Sequence, residues 1–557
     1  MLRGISSDNK KYIVAEGIVL AAITALVAIY SPLNPLTGTG MTADQGVFFA
    51  VAKGLTEGKL AYVDYFDHKG PWLYIILALG LEINKLIAGS ISATFIGNFL
   101  IELVTIFLSV LFMYKIARLF ANRPISMLAV LVVFMCNIRL YTASNSEEYI
   151  FPLICISAYL FLKQLQEGID NRYAFVMGAC GMLTFFVKFN YCILWAVMGI
   201  VMFAVMVANY VKSRRADIIS NAGARTHGCS IADIVKMCLA FAGGMLVVTI
   251  IFGVYLIATG SLKDFIDTYI IFSLDYASMA TFSKRIRTGL ALLDVPIEWI
   301  LVVYAAATLT MTIVYFSKAR NVKAGLVTEE AVSADGLAED RSRLGLRLTW
   351  LLLSVAMFVT VASPGQPWTY YQQAAMFIYI GAVAAFGSWL VEICRFLIPN
   401  IKHEITDEQT DRSAGIIGAI VLAVLLVVSL RSQLAPSNLA ITADERQQSI
   451  LNVSAEIMEN YEEGDTLISF ADDCGMYFYT DCEPASRIIF PSASIIAPAL
   501  ADELIEDLEE SPAKFMTFTD GWTFGIPEKL TDWVDATLSE DYELIYDDGL
   551  RTIYMAR

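Results

Sequence analysis

Five small polar clusters stand out in an otherwise apolar chain, and their side chains are of the kinds that move protons or hold anions. Asp44 opens the stretch DQGVFFAVAKGLTEG. Asp64 and the run Asp67-His68-Lys69-Gly70-Pro71 close the same loop. Glu147 and Glu148 sit in RLYTASNSEEYIF, Lys188 and Asn190 in FVKFNY, and Tyr370 and Tyr371 in PGQPWTYYQQ. A carboxylate within hydrogen-bond reach of a hydroxyl can serve as a general base. Lysine and histidine can hold an anion and stabilise charge developing on it. Each cluster also has a plain structural use. Asp is a favoured helix cap, and a Glu pair suits the positive end of a helix dipole. Pro71 suits a first helical turn, and a lysine at a helix junction can snorkel to the headgroups. Which use applies depends on whether the clusters share a compartment.

The elements that must position them are membrane helices. The chain is 57% apolar, has a mean hydropathy of +0.60 and only 17% charged residues. Several runs of about 18 or more apolar residues exclude an ordinary soluble domain. The formal charge of −16 is unevenly spread. Arg431 to Arg557 holds 26 acidic and 7 basic residues, so residues 1–430 carry +3. A tail of that sign argues against nucleic acid or an anionic leaflet as its partner. Of the 9 cysteines, most lie in or beside apolar runs, and no Cys/His spacing reads as a zinc site. Cys474 and Cys482 alone share a polar segment, where a disulfide requires a non-cytosolic location.

Charge orients the spans. The basic loops Lys115/Arg118/Arg123, Lys163/Arg172, Lys212/Arg214/Arg215, Lys318 to Arg347 and Arg395/Lys402 belong on the cytoplasmic side. All of them fall there only if residues 71–89 do not cross. That segment offers roughly ten apolar residues, about 15 Å of helix, before Glu82, Asn84 and Lys85. It is therefore expected to be an interfacial or re-entrant helix. About eleven spanning helices remain, with the N-terminus inside and the C-terminus outside. The outer loops are then 31–92, 139–148, 260–296 and 363–370, while 318–347 is a polar cytoplasmic loop. All five clusters lie on the outer side. Residues 1–430 form the membrane domain. Residues 431–557 alternate helix-like and strand-like stretches, ending in the hairpin-like YELIYDDGLRTIYMAR, and form a small α/β domain outside the cytosol.

Three blocks carry a resemblance: Thr42-Ala43-Asp44 with Gly46-Val47-Phe48-Phe49, then Gly58-Lys59-Leu60-Ala61-Tyr62-Val63-Asp64, then Asp67 to Pro71. On these the chain resembles the GT-C integral-membrane glycosyltransferases, near the family-39-like branch of protein O-mannosyltransferases and aminoarabinose transferases. The resemblance covers roughly residues 10–210 well, and the later helices and outer domain in layout only. It implies an Asp at position 44 in the first outer loop, and a Lys-Pro-Pro-like motif before an interfacial helix. It also implies a second acidic motif at Glu147/Glu148 and a lysine between short helices at Lys188. Lys69-Gly70-Pro71 departs from Lys-Pro-Pro, which is expected to relax the turn.

The resemblance further implies a polyprenyl-phosphate sugar donor and an inverting displacement at the anomeric carbon. Asp44 would take the acceptor proton. Lys69 and Lys188, with His68, would hold the leaving phosphate. Glu147 or Glu148 would orient these cations or a divalent metal, and His68 with Glu148 are the candidate metal ligands. Oxygen ligands suit Mg²⁺ or Mn²⁺, and a set with His68 suits zinc. Asp67, Tyr370 and Tyr371 would line the substrate pocket. The expected fold is thus an α-helical polytopic membrane protein, GT-C-like, with a C-terminal α/β extracytoplasmic domain. Two other classes remain: a transporter or lipid flippase, which needs charged residues at mid-membrane depth, and a membrane-anchored acidic binding domain.

Overall fold

Long apolar helices account for most of the chain. The computed structural model describes residues 7–37, 40–41, 43–136, 144–219, 230–323, 334–368, 370–401, 407–432, 434–435, 445–470 and 474–557. Thr42, and residues 139–143 of the 139–148 loop, lie outside the described residues, as does part of the 318–347 loop. The helices run α1 Ser7–Ile29, α2 Ala43–Thr56, α3 Pro71–Ala88, α4 Ile96–Phe120, α5 Arg123–Cys136, α6 Ser146–Glu167, α7 Asn171–Phe185, α8 Cys192–Ile219 and α9 Ile231–Ala258. A broken helix follows: α10 Leu262–Phe265, a π turn at Ile266–Ile271, and α11 Phe272–Ser278. Then come α12 Phe282–Leu292, α13 Glu298–Lys323, α14 Ala334–Ala362, α15 Tyr371–Ala375, α16 Phe377–Ile401 and α17 Asp407–Ser429.

Among the described residues 9 helices are long and apolar enough to cross a membrane, and the chain is an integral membrane protein. Eleven spans were expected from charge; of these α5, α7 and the apolar part of α1, Ile13–Ile29, fall short of that length, and the 9 include α3, which was expected not to cross. Pro71–Ala88 meets the length criterion, yet α3 begins and ends at one end of the bundle. Ser31, just past α1, donates to Glu102 near the start of α4 (2.6 Å). Arg123, just past α4, pairs with Glu16 in α1 (2.6 Å). α1 and α4 are therefore antiparallel. Phe95, just before α4, stacks on Phe478 of the C-terminal unit (5.5 Å). Phe66, just before α3, donates its N–H to the carbonyl of Arg487 in the same unit (2.7 Å). Polar side chains fold α3 back: Asn84 donates to Asn98 of α4 (3.1 Å), and Asn98 to the Leu77 carbonyl (3.0 Å).

The C-terminal unit contains α18 Glu445–Glu459, β1 Thr466–Ser469, α19 Gly475–Tyr479, β2 Glu483–Pro484, α20 Ala499–Glu510, β3 Phe515–Thr519, α21 Glu528–Asp541, β4 Tyr542–Asp547 and β5 Arg551–Ala556. Its sheet order is β2-β1-β3-β5-β4. β2, β1 and β3 are parallel, whereas β3-β5-β4 pair antiparallel, with β4 and β5 as the closing hairpin. Cys474 and Cys482 are both buried, and no disulfide joins them. The Cys474 thiol instead donates to the Ile489 carbonyl (3.1 Å).

This unit is packed onto α2 rather than tethered. One apolar cluster joins Phe48 and Phe49 of α2 to Ile450, Val453, Tyr477 and Phe478. A Cβ on Gly46 would stand 2.7 Å from the Gly475 nitrogen, so α2 approaches α19 as only glycine allows. The buried Lys53 ammonium donates to the carbonyls of Tyr477 (3.2 Å) and Thr480 (2.5 Å). Lys59 pairs with Glu483 (2.9 Å). Lys53→Ala would strand two inward-facing carbonyls, and hydrogen bonds to a charged group contribute about 1.5–3 kcal/mol. The expected outcome is a lower Tm in detergent and earlier proteolysis between α17 and β1. A Tm equal to that of the parent protein would refute the docking role.

Candidate active site

The loop between α2 and α3 turns on a strained corner. Tyr62 is buried at φ 72°, a region that non-glycine residues rarely occupy and that recurs at functional sites. Its N–H donates to the Tyr65 carbonyl (2.8 Å), and its phenol to the Lys69 carbonyl (2.7 Å). One residue later the chain meets the α7–α8 junction. Gly70 N–H donates to the Val187 carbonyl (2.9 Å), and Trp72 N–H to the Phe186 carbonyl (3.0 Å). A Cβ on Gly70 would fall 2.0 Å from the Phe186 oxygen. Gly70 has ordinary extended angles (φ −74°, ψ 152°). Glycine at this position therefore does not relax the turn. It lets two backbones touch and keeps an N–H that proline lacks. Lys69 and Lys188 are thereby brought to one place.

Four groups share the charge at this point. The buried Asp67 carboxylate accepts from Tyr74 (2.6 Å) and from the His68 backbone N–H (2.7 Å). Burial pushes this carboxyl up. The Lys69 ammonium and the His68 and Tyr74 hydrogen bonds outweigh that and hold it below the ordinary aspartate value. His68 lies with Nδ1 3.4 Å from Asp67 and Nε2 3.1 Å from the Lys69 ammonium. Its ring is 23% exposed and lines both cavities described below. Burial and the Lys69 charge push the imidazole below its usual value, against the pull of Asp67. The ring is then neutral near pH 7, and its Nε2 lies where the Lys69 ammonium can donate to it. Burial lowers the Lys69 ammonium too, Asp67 opposing and Lys188 adding to the effect.

Lys188 is held from the other side. Its ammonium lies 2.7 Å from Glu147, which also accepts from Ser146 (2.7 Å) and Tyr191 (3.2 Å). It stands 4.0 Å above the Tyr371 ring and 5.2 Å from that of Tyr370. Glu148 points elsewhere: it accepts from Thr105 of α4 (2.7 Å) and from the Ser144 backbone N–H. Ser144 has φ 60°, a second strained non-glycine residue. Asn190 donates to the Thr360 carbonyl (3.2 Å) and serves the packing of α14.

Asp44 lies in the first turn of α2, inside the helix rather than at its cap, where the dipole favours a carboxylate. It lines a cavity of about 530 Å³ with Asp67, His68, Lys69, Tyr276 and Trp368 on one wall and loops of the C-terminal unit on the other. A second cavity of about 470 Å³ shares His68, Lys69, Tyr276 and Tyr371. It adds Lys188 and Arg285, and is otherwise walled by apolar groups such as Phe189, Ile193, Ala196 and Leu274. Arg285 and Tyr276 were missed from the sequence. They sit in the 260–296 loop, where no spacing marks them, and two of Arg285's guanidinium nitrogens are used on the Ala277 and Ala280 carbonyls. Among the described residues no group of three His, Cys, Asp or Glu gathers as a metal site. His68 faces Asp67 and Lys69, while Glu148 is turned to Thr105 and Ser144. These two do not form the expected ligand pair, and no step below uses a metal.

No protein-family model and no curated protein matches the sequence. Solved structures do. ArnT from Cupriavidus metallidurans, bound to undecaprenyl phosphate, aligns with a TM-score of 0.53 and 11% identity over 98% of this chain and 98% of that one. Its apo state gives 0.51 and 12% over 97% and 98%. The archaeal oligosaccharyltransferase AglB from Archaeoglobus fulgidus, in complex with an inhibitory peptide and a dolichol-phosphate, gives 0.51 and 12% over 99% of this chain and 75% of that one. The chain has the GT-C fold that these share.

The neutral His68 has a consequence for stability. Its folded value is depressed, so below about pH 6.5 the unfolded chain binds the proton that the folded chain refuses. Stability contributed by His68 is therefore full above that pH and is lost as pH falls toward the folded value. In His68→Gln the decline of Tm between pH 7 and 5 is expected to be shallower than in the parent. Parallel Tm curves would show that folding leaves the His68 imidazole at its ordinary value, and a steeper decline in the variant would show that it is held charged in the fold.

Proposed function

We propose that this chain is a glycosyltransferase. It moves a sugar from a polyprenyl-phosphate donor to an acceptor hydroxyl at the end of the bundle that bears the C-terminal unit, and that end is extracytoplasmic. One observation carries this reading. A mostly apolar cavity with a cationic head and a polar cavity with a carboxylate meet at Lys69 and His68. The apolar walls suit a lipid tail, and Lys69, Lys188 and Arg285 suit its phosphate. The lipid phosphates bound by ArnT and AglB support the same assignment.

In the reaction the acceptor hydroxyl enters from the polar cavity. Asp44 takes its proton as general base. The acceptor oxygen attacks the anomeric carbon on the face opposite the phosphate. The carbon–oxygen bond to the phosphate breaks, its electron pair stays on the phosphate oxygen, and configuration inverts. The lipid phosphate leaves with one more negative charge, which Lys69 and Lys188 stabilise, so no acid is needed on that side. Glu147 orients Lys188, and the Asp67–His68 pair orients Lys69. Tyr370 and Tyr371 line the place where the sugar crosses from one cavity to the other.

Removing a positioned base costs about 10²–10⁴-fold in rate. Asp44→Asn is expected to abolish transfer from radiolabelled polyprenyl-phosphate sugars into envelope acceptors, while thermal stabilisation by undecaprenyl phosphate persists. Lys188→Met and Lys69→Met are expected to lose that stabilisation as well. A fully active Asp44→Asn protein would remove Asp44 from the role. Undecaprenyl phosphate that fails to stabilise the parent protein would remove the donor.

A further inference from the structure

The outer wall of the polar cavity has an architecture of its own. It is built from the segments that follow the three parallel strands: Phe470 after β1, Phe490 to Ile496 after β2, and Thr519 to Ile526 at the end of β3. In open α/β sheets, the carboxyl ends of parallel strands are where ligands bind, because the loops there diverge and leave a crevice. Here that crevice opens onto the cavity that holds Asp44. We propose that the C-terminal unit is the acceptor-binding part of the enzyme and that it grips an uncharged glycan, presenting one sugar hydroxyl to Asp44. This rests on the transfer reaction proposed above, and it names the acceptor.

The chemistry of the wall selects among acceptor classes. Its ring platform is Trp522, fixed from beneath by Phe470 (5.2 Å) and Phe518 (5.2 Å), which are themselves stacked (4.9 Å). Phe524, 89% exposed, extends the platform toward solvent. A sugar ring offers a face of C–H bonds that packs on the electron-rich face of an indole. Ser492, Thr519 and the exposed Asp520 lie around the platform and can bond ring hydroxyls. Among the described lining residues, Asp520 is the one charged side chain that the unit contributes. With Asp44 opposite, Asp67 balanced by Lys69, and 26 acidic residues against 7 basic from Arg431 onward, the approach repels a polyanionic acceptor. An extended peptide would be read along a sheet edge by backbone pairing. This cavity lies at strand ends instead, so the sheet offers a peptide no ladder there.

The test uses the full-length protein in detergent and three immobilised probe classes: a panel of uncharged oligosaccharides, serine- and threonine-rich peptides, and glycerol-phosphate oligomers. The parent protein is expected to bind members of the first class alone. Trp522→Ala is expected to weaken that binding about tenfold or more. Trp522→Phe should retain most of it, which separates a lost platform from a misfolded unit. Asp520→Asn should weaken it by a smaller factor. Thermal stabilisation by undecaprenyl phosphate should be unchanged in all three variants. Binding of peptides or glycerol phosphates in place of glycans, no glycan binding at all, or glycan binding indifferent to Trp522→Ala would each overturn the proposal. Glycan binding that persists in a protein indifferent to undecaprenyl phosphate would sink the donor assignment and leave this one standing.

Discussion

Two ammonium groups, Lys69 and Lys188, are held at one point against their mutual repulsion, and much of the surrounding structure exists to permit it. The contact that brings them together is made by backbone: Gly70 against Phe186 and Val187. Burial disfavours an unpaired charge at such a point. Each therefore has its own carboxylate, Asp67 for Lys69 and Glu147 for Lys188. Each carboxylate is in turn pinned by phenols and short hydrogen bonds, Asp67 by Tyr74 and Glu147 by Tyr191 and Ser146. Removing one member of the Lys188–Glu147 pair costs about 3–5 kcal/mol, since an uncompensated charge is left behind. The site is thus balanced before any ligand enters. In the proposed reaction, a phosphate entering from the apolar cavity would meet cations already fixed, which is the condition for strong electrostatic stabilisation.

The same loop is constrained from above. α2 carries Asp44 in its first turn and Lys53 in its last, and Lys53 is bonded into the C-terminal unit. Phe66 and Tyr62 receive further bonds from that unit, through the Arg487 carbonyl and guanidinium. Arg487 is itself fixed by a two-pronged pair with Glu503. The carboxylate assigned as base and the wall opposite it therefore belong to one packed body. A soluble domain on a flexible tether would place an acceptor only on average. Here the unit is joined to α2 and its loop by core contacts instead.

Much of this was legible in the sequence, because membranes read charge and length. The basic loops fixed the sidedness of the clusters relative to one another, and Asp44, Lys69, Glu147 and Lys188 do converge at the end that bears the sheet. The short apolar run in α3, ended by Glu82, Asn84 and Lys85, told that it turns back. After residue 445 the three long helices and strands β1, β3, β4 and β5 followed from alternation and turn residues, whereas the apolar-aromatic run MYFYT is helix α19 and β2 was not foreseen. What could not be read was anything decided by approach of distant backbones. Gly70 looked like a relaxed turn until the α7–α8 junction was seen against it. Arg285 and Tyr276 enter through the broken helix α10–α11 and the start of α12, where a π turn resets the phase of the side chains. Cys474 and Cys482 share a segment but not a bond, because a polar segment in sequence says nothing of Cα separation.

The Glu147-Glu148 pair shows how adjacent residues divide labour. Neighbours on a helix point about 100° apart, so the two carboxylates cannot both face the site. Glu147 takes Lys188. Glu148 takes Thr105 of α4 and the strained Ser144. Three residues before Thr105, Glu102 accepts from Ser31, at the root of the loop that leads to Asp44. A polar path therefore runs from Lys188 through both glutamates and α4 back to that loop, through a region where each buried carboxylate needs its bonds to be tolerable at all. The α6 N-terminus is consequently a two-sided brace, fixing one cation directly and the root of the Asp44 loop through α4. The second glutamate acts on geometry: it ties the start of α6 to α4 and reaches Lys188 only through its neighbour.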